Sequence, residues 1–195
     1  MNYLAHAFLS FNQPELMVGN LMGDFVKGNN YEKYSGDLRR GLLLHRAIDQ
    51  FTDQHNETEE AVKLLKPTFR LSSSIFVDIL FDHLLANDLN YFTNDTLFQF
   101  TEEVHYNLDQ HHHHFDEKMI TFFGYMKQYN WLYNYKFEEG LSRSIIGICK
   151  RYPRLGDGQV AFNMIQLHLP TFKQHFEKFF PDLIHHSRQF ILNTI

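Results

Sequence analysis

The sequence predicts an all-α fold, a single helical bundle, and three observations carry that prediction. Over residues 36–54 the apolar residues recur with a helical period. Leu38, Leu42, His45, Asp49 and Thr52 form one line beside a stripe of Leu44, Ile48 and Phe51. Between Ser74 and Leu85 the chain is apolar on every side, and a helix that is apolar all round is a buried one. No alternating strand pattern of any length occurs, and no Asn-Gly or Asp-Gly turn joins two strand-like runs.

The elements follow in order. Residues 3–9 read as a short apolar helix that carries His6 inward. Asn12 and Pro14 mark a turn and a helix start, because proline suits the first helical position. Gly19-Asn20-Leu21-Met22-Gly23-Asp24-Phe25 reads as a tight bend flanked by glycines. Asp24 there is either an Asx-type turn residue or an inward carboxylate, and the apolar Leu21, Met22, Phe25 and Val26 around it favour the second. The helix over 36–54 brings His45 and Asp49, four apart, to the rim of its apolar face. Asn56 with Glu59 resembles a capping box opening a helix over 57–66, which Pro67 closes. The central buried helix spans about 71–89, and another covers roughly 95–110. Met119–Tyr135 is dense in rings, a core or ligand-facing wall that includes Trp131. Residues 138–150 are helical, and 157–193 form a last helical third with Pro170 and Pro181 as kinks or breaks.

At 195 residues the chain can bury one substantial core, and it shows no repeat, linker or domain boundary. A net charge of −5 excludes nucleic acid as a partner for the molecule as a whole, so an acidic protein partner would need a local basic patch. Cys149 is the only cysteine and lies among Ile145, Ile146 and Ile148, which reads as a small core residue in a reducing compartment. The N-terminus has no basic lead and is interrupted by His6, so it does not read as a signal peptide. No run approaches the ~20 apolar residues of a membrane span, and a cytoplasmic location is expected. The tract His111–His114 points in all directions around a helix start and reads as solvated.

Chemistry concentrates in the first 90 residues. The central helix buries Asp78, Asp82 and His83 among apolar neighbours, where an unpaired carboxylate is costly. Something cationic must meet these acids, either an arginine or a metal ion. A lone His45–Asp49 pair is as readily a hydrogen-bonded core couple, but a second inward acid–histidine helix in the same chain favours the metal. The inward polar groups are His6, Asp24, His45, Asp49, Asp78, Asp82 and His83. Imidazole with carboxylate and no thiolate suits Mn²⁺, Fe²⁺, Mg²⁺ or Zn²⁺. No matched serine or cysteine nucleophile and no phosphate-cradling glycine loop is present. Metal-assisted hydrolysis of a phosphoester is the reaction class that fits. Arg143 with Lys150, Arg151 and Arg154 forms either an anion patch or an ordinary helix C-terminus complementing its dipole.

Several blocks also carry a resemblance. Met1–His6, Gly19–Val26, Leu44–Asp53, Asp78–His83, Asn130–Leu132 and Arg151–Arg154 together resemble acyl carrier protein phosphodiesterases. The resemblance covers most of the chain and is densest before residue 90. It implies a divergent, HD-domain-like phosphohydrolase that cleaves 4′-phosphopantetheine from a serine of holo-acyl carrier protein, with Mn²⁺ as the usual activator. This chain departs from the superfamily pattern, because its adjacent pair is reversed as Asp82-His83. On that resemblance Asp24, His45, Asp78 and His83 are expected on the metal. Asp82 is expected as a further ligand or the partner of a ligating histidine. His6 or Asp49 would orient the attacking water or protonate the departing serine oxygen. Arg143, Lys150, Arg151 and Arg154 would dock the acidic carrier protein, and the Trp131 region would line the pantetheine channel.

Two other readings stand beside this one. The first keeps the metal site and changes the substrate to a nucleotide or another small phosphoester. The second is a non-catalytic helical module binding acyl or lipid-like groups, in which Arg46 and Arg70 pair Asp49 and Asp78.

Overall fold

The computed structural model describes residues 1–194. Among these lie ten α-helices, four short 3-10 turns and no strand, so the predicted all-α class holds. The helices are α1 (Tyr3–Phe8), α2 (Pro14–Met22), α3 (Gly36–Gln54), α4 (Asn56–Phe69) and α5 (Ser73–Ala86). After them come α6 (Asn94–Gln110), α7 (Glu117–Gln128), α8 (Trp131–Asn134), α9 (Glu138–Arg151) and α10 (Gly158–Asn193).

Four local readings are corrected. Gly19 lies inside α2, and its role is contact. A Cβ there would sit 2.1 Å from the Leu38 carbonyl oxygen, and one on Gly41 would sit 2.2 Å from that of Leu16. The two glycines let the α2 and α3 backbones touch, so the bend begins only at Gly23. The cap of α4 is His55, whose side chain accepts from the Glu57 amide at 3.2 Å, and α4 runs on through Pro67. Pro67 is exposed in the last turn, so the carbonyl it leaves free faces water. A reciprocal capping box occurs instead at Thr93 and Thr96. Finally, α10 continues unbroken through Pro170 and Pro181. Its 36 residues span about 54 Å, and the buried Phe172, Phe176, Phe179 and Phe180 hold it against the core.

As expected, α5 is the central element, and it packs against α1, α4, α9 and α10. Phe76 and Phe81 are fully buried on it. Phe81 meets Phe176 edge-to-face at 5.5 Å between ring centres, a geometry that ring quadrupoles favour, and Phe179 in a tilted contact at 5.6 Å. Asp82, also fully buried, accepts the amides of Leu4 at 2.7 Å and Ala5 at 3.2 Å. These are donors in the first turn of α1, where no intrahelical partner exists. One core helix therefore caps another, and the Asp82 carboxyl fastens α1 to α5 through these two hydrogen bonds. Burial pushes the Asp82 carboxyl up to about 7, against the opposing pull of the Leu4 amide and the N-terminal ammonium.

Ionisation of Asp82 therefore works against folding. The folded value lies above the unfolded one of about 3.9, so Asp82 adds its full stability below pH ~4 and loses it as pH rises through 7. Asp82→Asn cannot ionise. The stability advantage of wild type over this variant should shrink by a few kcal/mol between pH 4 and pH 8, since each pH unit between the unfolded and folded values corresponds to about 1.4 kcal/mol. Urea unfolding across that range reads the change. An advantage independent of pH would mean that folding does not raise the Asp82 carboxyl above its unfolded value.

Candidate metal centre

Three helices converge on one asparagine. Asn20, at 0% exposure on α2, donates from its amide nitrogen to the His6 carbonyl at 2.7 Å and to Ser10 Oγ at 3.1 Å. Those bonds orient the amide, so the atom 2.8 Å from His6 Nδ1 is the acceptor Oδ1. The backbone carbonyl of the same residue lies 2.8 Å from His45 Nδ1. A carbonyl oxygen only accepts, so each Nδ1 carries the hydrogen. The two imidazoles stack at 4.1 Å with 17° between planes.

Their Nε2 atoms then turn to Asp49, one helical turn beyond His45 on α3. His6 Nε2 lies 3.3 Å from Oδ1, and His45 Nε2 lies 3.1 Å from Oδ2. In neutral rings these nitrogens offer lone pairs toward a carboxylate. Burial, reinforced by the neighbouring His45, pushes His6 down and disfavours an imidazolium. Burial alone would raise the Asp49 carboxyl; hydrogen bonds from His45 and His6, made only when Nε2 carries a proton, together with the N-terminal ammonium outweigh it and hold it well below the usual range. Two nitrogen lone pairs and an ionised carboxylate facing one point are relieved by a cation. His6, His45 and Asp49 are the one group among the described residues whose ligand atoms lie within 4.8 Å of one another. The donor set of two imidazoles and a carboxylate fits a divalent transition metal.

Asp24 stands at the edge. Its Oδ1 is 3.8 Å from His45 Nε2, and its Oδ2 accepts from the Tyr3 hydroxyl at 2.8 Å. With 53% of its side chain exposed, it connects the group to solvent. Tyr3 continues into a wall of rings. Phe122 lies 4.9 Å from it, Phe25 5.2 Å from Phe122, and Trp131 meets Phe122 edge-on at 5.4 Å.

The other expected site residues are placed differently. Asp78 meets the Met1 amine at 3.0 Å, and that amine is also 3.7 Å from Asp49 Oδ1. Asp78 thus flanks the group across an ammonium. Burial raises its carboxyl despite this contact. Asp82 spends both oxygens on α1. His83 Nδ1 bonds the Tyr135 carbonyl at 2.7 Å and stays outside the group. Arg46 donates to the carbonyls of Val26 and Gly28, and among the described residues neither it nor Arg70 pairs with Asp49 or Asp78. Arg143 pairs with Glu139. Lys150, Arg151 and Arg154 are exposed at the end of α9, where Gly156 abuts Phe69. The histidine tract forms an exposed turn.

Sequence reasoning missed Asn20, Tyr3 and Gly23. Asn20 had a signal, an amide between Gly19 and apolar Leu21 and Met22 on a helix that must bury its face. Gly23 had none, because its φ of −54° suits any residue. A Cβ there would lie 2.1–2.5 Å from His45 Cγ, Cδ2 and Nδ1. Gly23→Ala should therefore displace the imidazole and weaken divalent-metal affinity about 10–100-fold, as for other disturbances of a ligand's support. Titration calorimetry with Mn²⁺ reads this, and unchanged affinity would show that His45 does not need its present position.

The family model described as acyl carrier protein phosphodiesterase matches residues 1–183. A protein of that name from Photorhabdus laumondii is 30% identical over 184 residues, covering 93% of this chain and 92% of the relative. The protein of that name from Pectobacterium atrosepticum is 29% identical over 94% of this chain and 96% of its own. The one from Yersinia pestis is 28% identical over 96% and 98%. No solved structure matches the chain. Across nearly its whole length, this chain belongs to the acyl carrier protein phosphodiesterase family.

Proposed function

We propose that the protein is a metal-dependent phosphodiesterase that hydrolyses holo-acyl carrier protein to the apo form and 4′-phosphopantetheine. One observation carries the metal part: two imidazoles with their Nδ1 hydrogens engaged by Asn20 and their Nε2 atoms 3.1–3.3 Å from one carboxylate. The names of the relatives supply the substrate.

His6, His45 and Asp49 would hold the ion, with Asp24 as the fourth protein group. Imidazole in the set favours Fe²⁺ over Mg²⁺, which prefers oxygen, and Mn²⁺ is the ion that the family resemblance implies. When bound, the ion supplies Lewis acidity and offsets charge on the phosphoryl oxygens. The chain's own groups do the rest. Asn20 holds both rings in the tautomer that leaves Nε2 free. Asp24, tethered by Tyr3 and open to solvent, would meet the ion from the solvent side. Asp78 and the Met1 amine fix Asp49 from behind. The Tyr3–Phe25–Phe122–Trp131 wall offers apolar surface to the pantetheine arm. Histidines and aspartates from successive helices also suit the HD-like relationship.

The decisive assay is incubation with holo-carrier protein and Mn²⁺, scored by loss of the phosphopantetheine mass from the carrier. Asp49→Asn and His45→Ala should each lower turnover by about 10²–10⁴-fold, the several kcal/mol that a metal contributes. Both should also lose stoichiometric metal in elemental analysis. Activity on nucleoside monophosphates with none on the carrier would overturn the substrate. Retained metal-dependent turnover in both variants would overturn the site.

A further inference from the structure

Immediately beyond Asp24, the chain forms an exposed 3-10 turn over Gly28–Lys33 and then enters α3. Residues 25–46 carry Lys27, Lys33, Arg39, Arg40 and Arg46 against Glu32 and Asp37, in a chain whose net charge is −5. Arg40 is engaged by Asp37 and the Ile191 carbonyl. The other four cations have no carboxylate within ion-pair distance among the described residues. Lys27, Lys33 and Arg39 are exposed.

This rim is also held in shape. Arg46 donates to the carbonyls of Val26 (3.2 Å) and Gly28, and its guanidinium lies 4.6 Å from the Tyr31 ring centre. Arg39 lies over the same ring at 5.5 Å. Gly28 has φ +56°, which an L side chain adopts only with strain. A pre-shaped loop loses little entropy when a partner settles on it. It also stands next to the ligand group in the chain, since Lys27 is three residues from Asp24 and Arg46 follows His45.

The alternative basic surface shares some of these features, since Arg151 lies 5.3 Å from the Tyr152 ring centre and Gly156 has φ +104°, but it does not stand next to the ligand group in the chain. Gly156, two residues past Arg154, abuts Phe69, which packs on Phe76 in the first turn of α5, while the caps onto α1 come from Asp82 near its other end.

We infer that the acidic carrier protein docks on the basic rim Lys27–Arg46, with Lys27, Lys33, Arg39 and Arg46 supplying the charge that steers it over the ligand group. The inference rests on the carrier-protein reading of the function and assigns that substrate its surface. A patch of one sign raises the encounter rate and selects the partner, and salt weakens it. The experiment uses the full chain with Mn²⁺, holo-carrier protein and the small diester bis(4-nitrophenyl) phosphate. Lys27→Glu/Arg39→Glu should raise KM for the carrier at least tenfold, flatten its rise with added salt and keep kcat/KM on the small diester. The milder Lys27→Gln/Arg39→Gln should fall between, and the small-diester rate reports that both variants fold. Unchanged KM for the carrier, equal losses on both substrates, or a loss confined to Arg151→Glu/Arg154→Glu would overturn the docking surface. Wild type that cleaves the small diester but never the carrier would instead overturn the functional reading, and this surface with it.

Discussion

The grip of Asn20 on two imidazoles is the interaction on which the site depends. One buried residue presents two acceptors, its side-chain and its backbone oxygen, and each takes the Nδ1 hydrogen of a different histidine. Its own amide nitrogen is occupied by the His6 carbonyl and Ser10, so it cannot turn over without losing both bonds. Breaking bonds to a buried polar group costs about 1–3 kcal/mol each. The stacked rings therefore keep one tautomer and one direction. The consequence is a pair of Nε2 atoms facing an ionised Asp49, an arrangement that asks for positive charge.

The backbone contact behind Asn20 makes that grip possible. Gly19 and Gly41 remove the side chains that would keep α2 and α3 apart. With larger residues the helices would separate, and the Asn20 carbonyl would move away from His45. Gly23 then leaves the volume that the His45 ring fills. Small residues at helix contacts thus determine where the imidazoles sit, because close packing transmits displacement rather than absorbing it.

The acids of α5 serve the same centre from outside it. Asp82 fastens α1, which carries His6, and Asp78 anchors the Met1 amine beside Asp49. The Asp82 carboxyl is fully buried and the Asp78 side chain 31% exposed, and such groups add little net stability when paired and cost much when stranded. Their effect is to allow one placement of α1 and no other. This explains why a core helix apolar on every side tolerates two carboxylates: each meets donors from the chain's first residues.

Helical periodicity was legible in the sequence because it repeats within a few residues. The bounds of α3, the burial of α5 and the inward direction of His6 and of the His45–Asp49 pair could all be read from spacing. The continuity of the helices through Pro67, Pro170 and Pro181 could not, since whether a proline ends a helix or is accommodated in it depends on the packing and solvent around it. His6, Asp24, His45 and Asp49 were recognisable as a set, although Asp24 is exposed at the edge and not inward as expected, and so were Asp78, Asp82 and His83. Which of them meet one another depended on how far α5 is rotated about its axis and on contacts between residues 78 positions apart, such as Leu4 and Asp82. The sequence by itself determined that helices form and which polar side chains point inward, because both follow from local period and solvation. Only the tertiary structure decided that two histidines share one asparagine and one aspartate, because that requires three helices to approach to backbone contact.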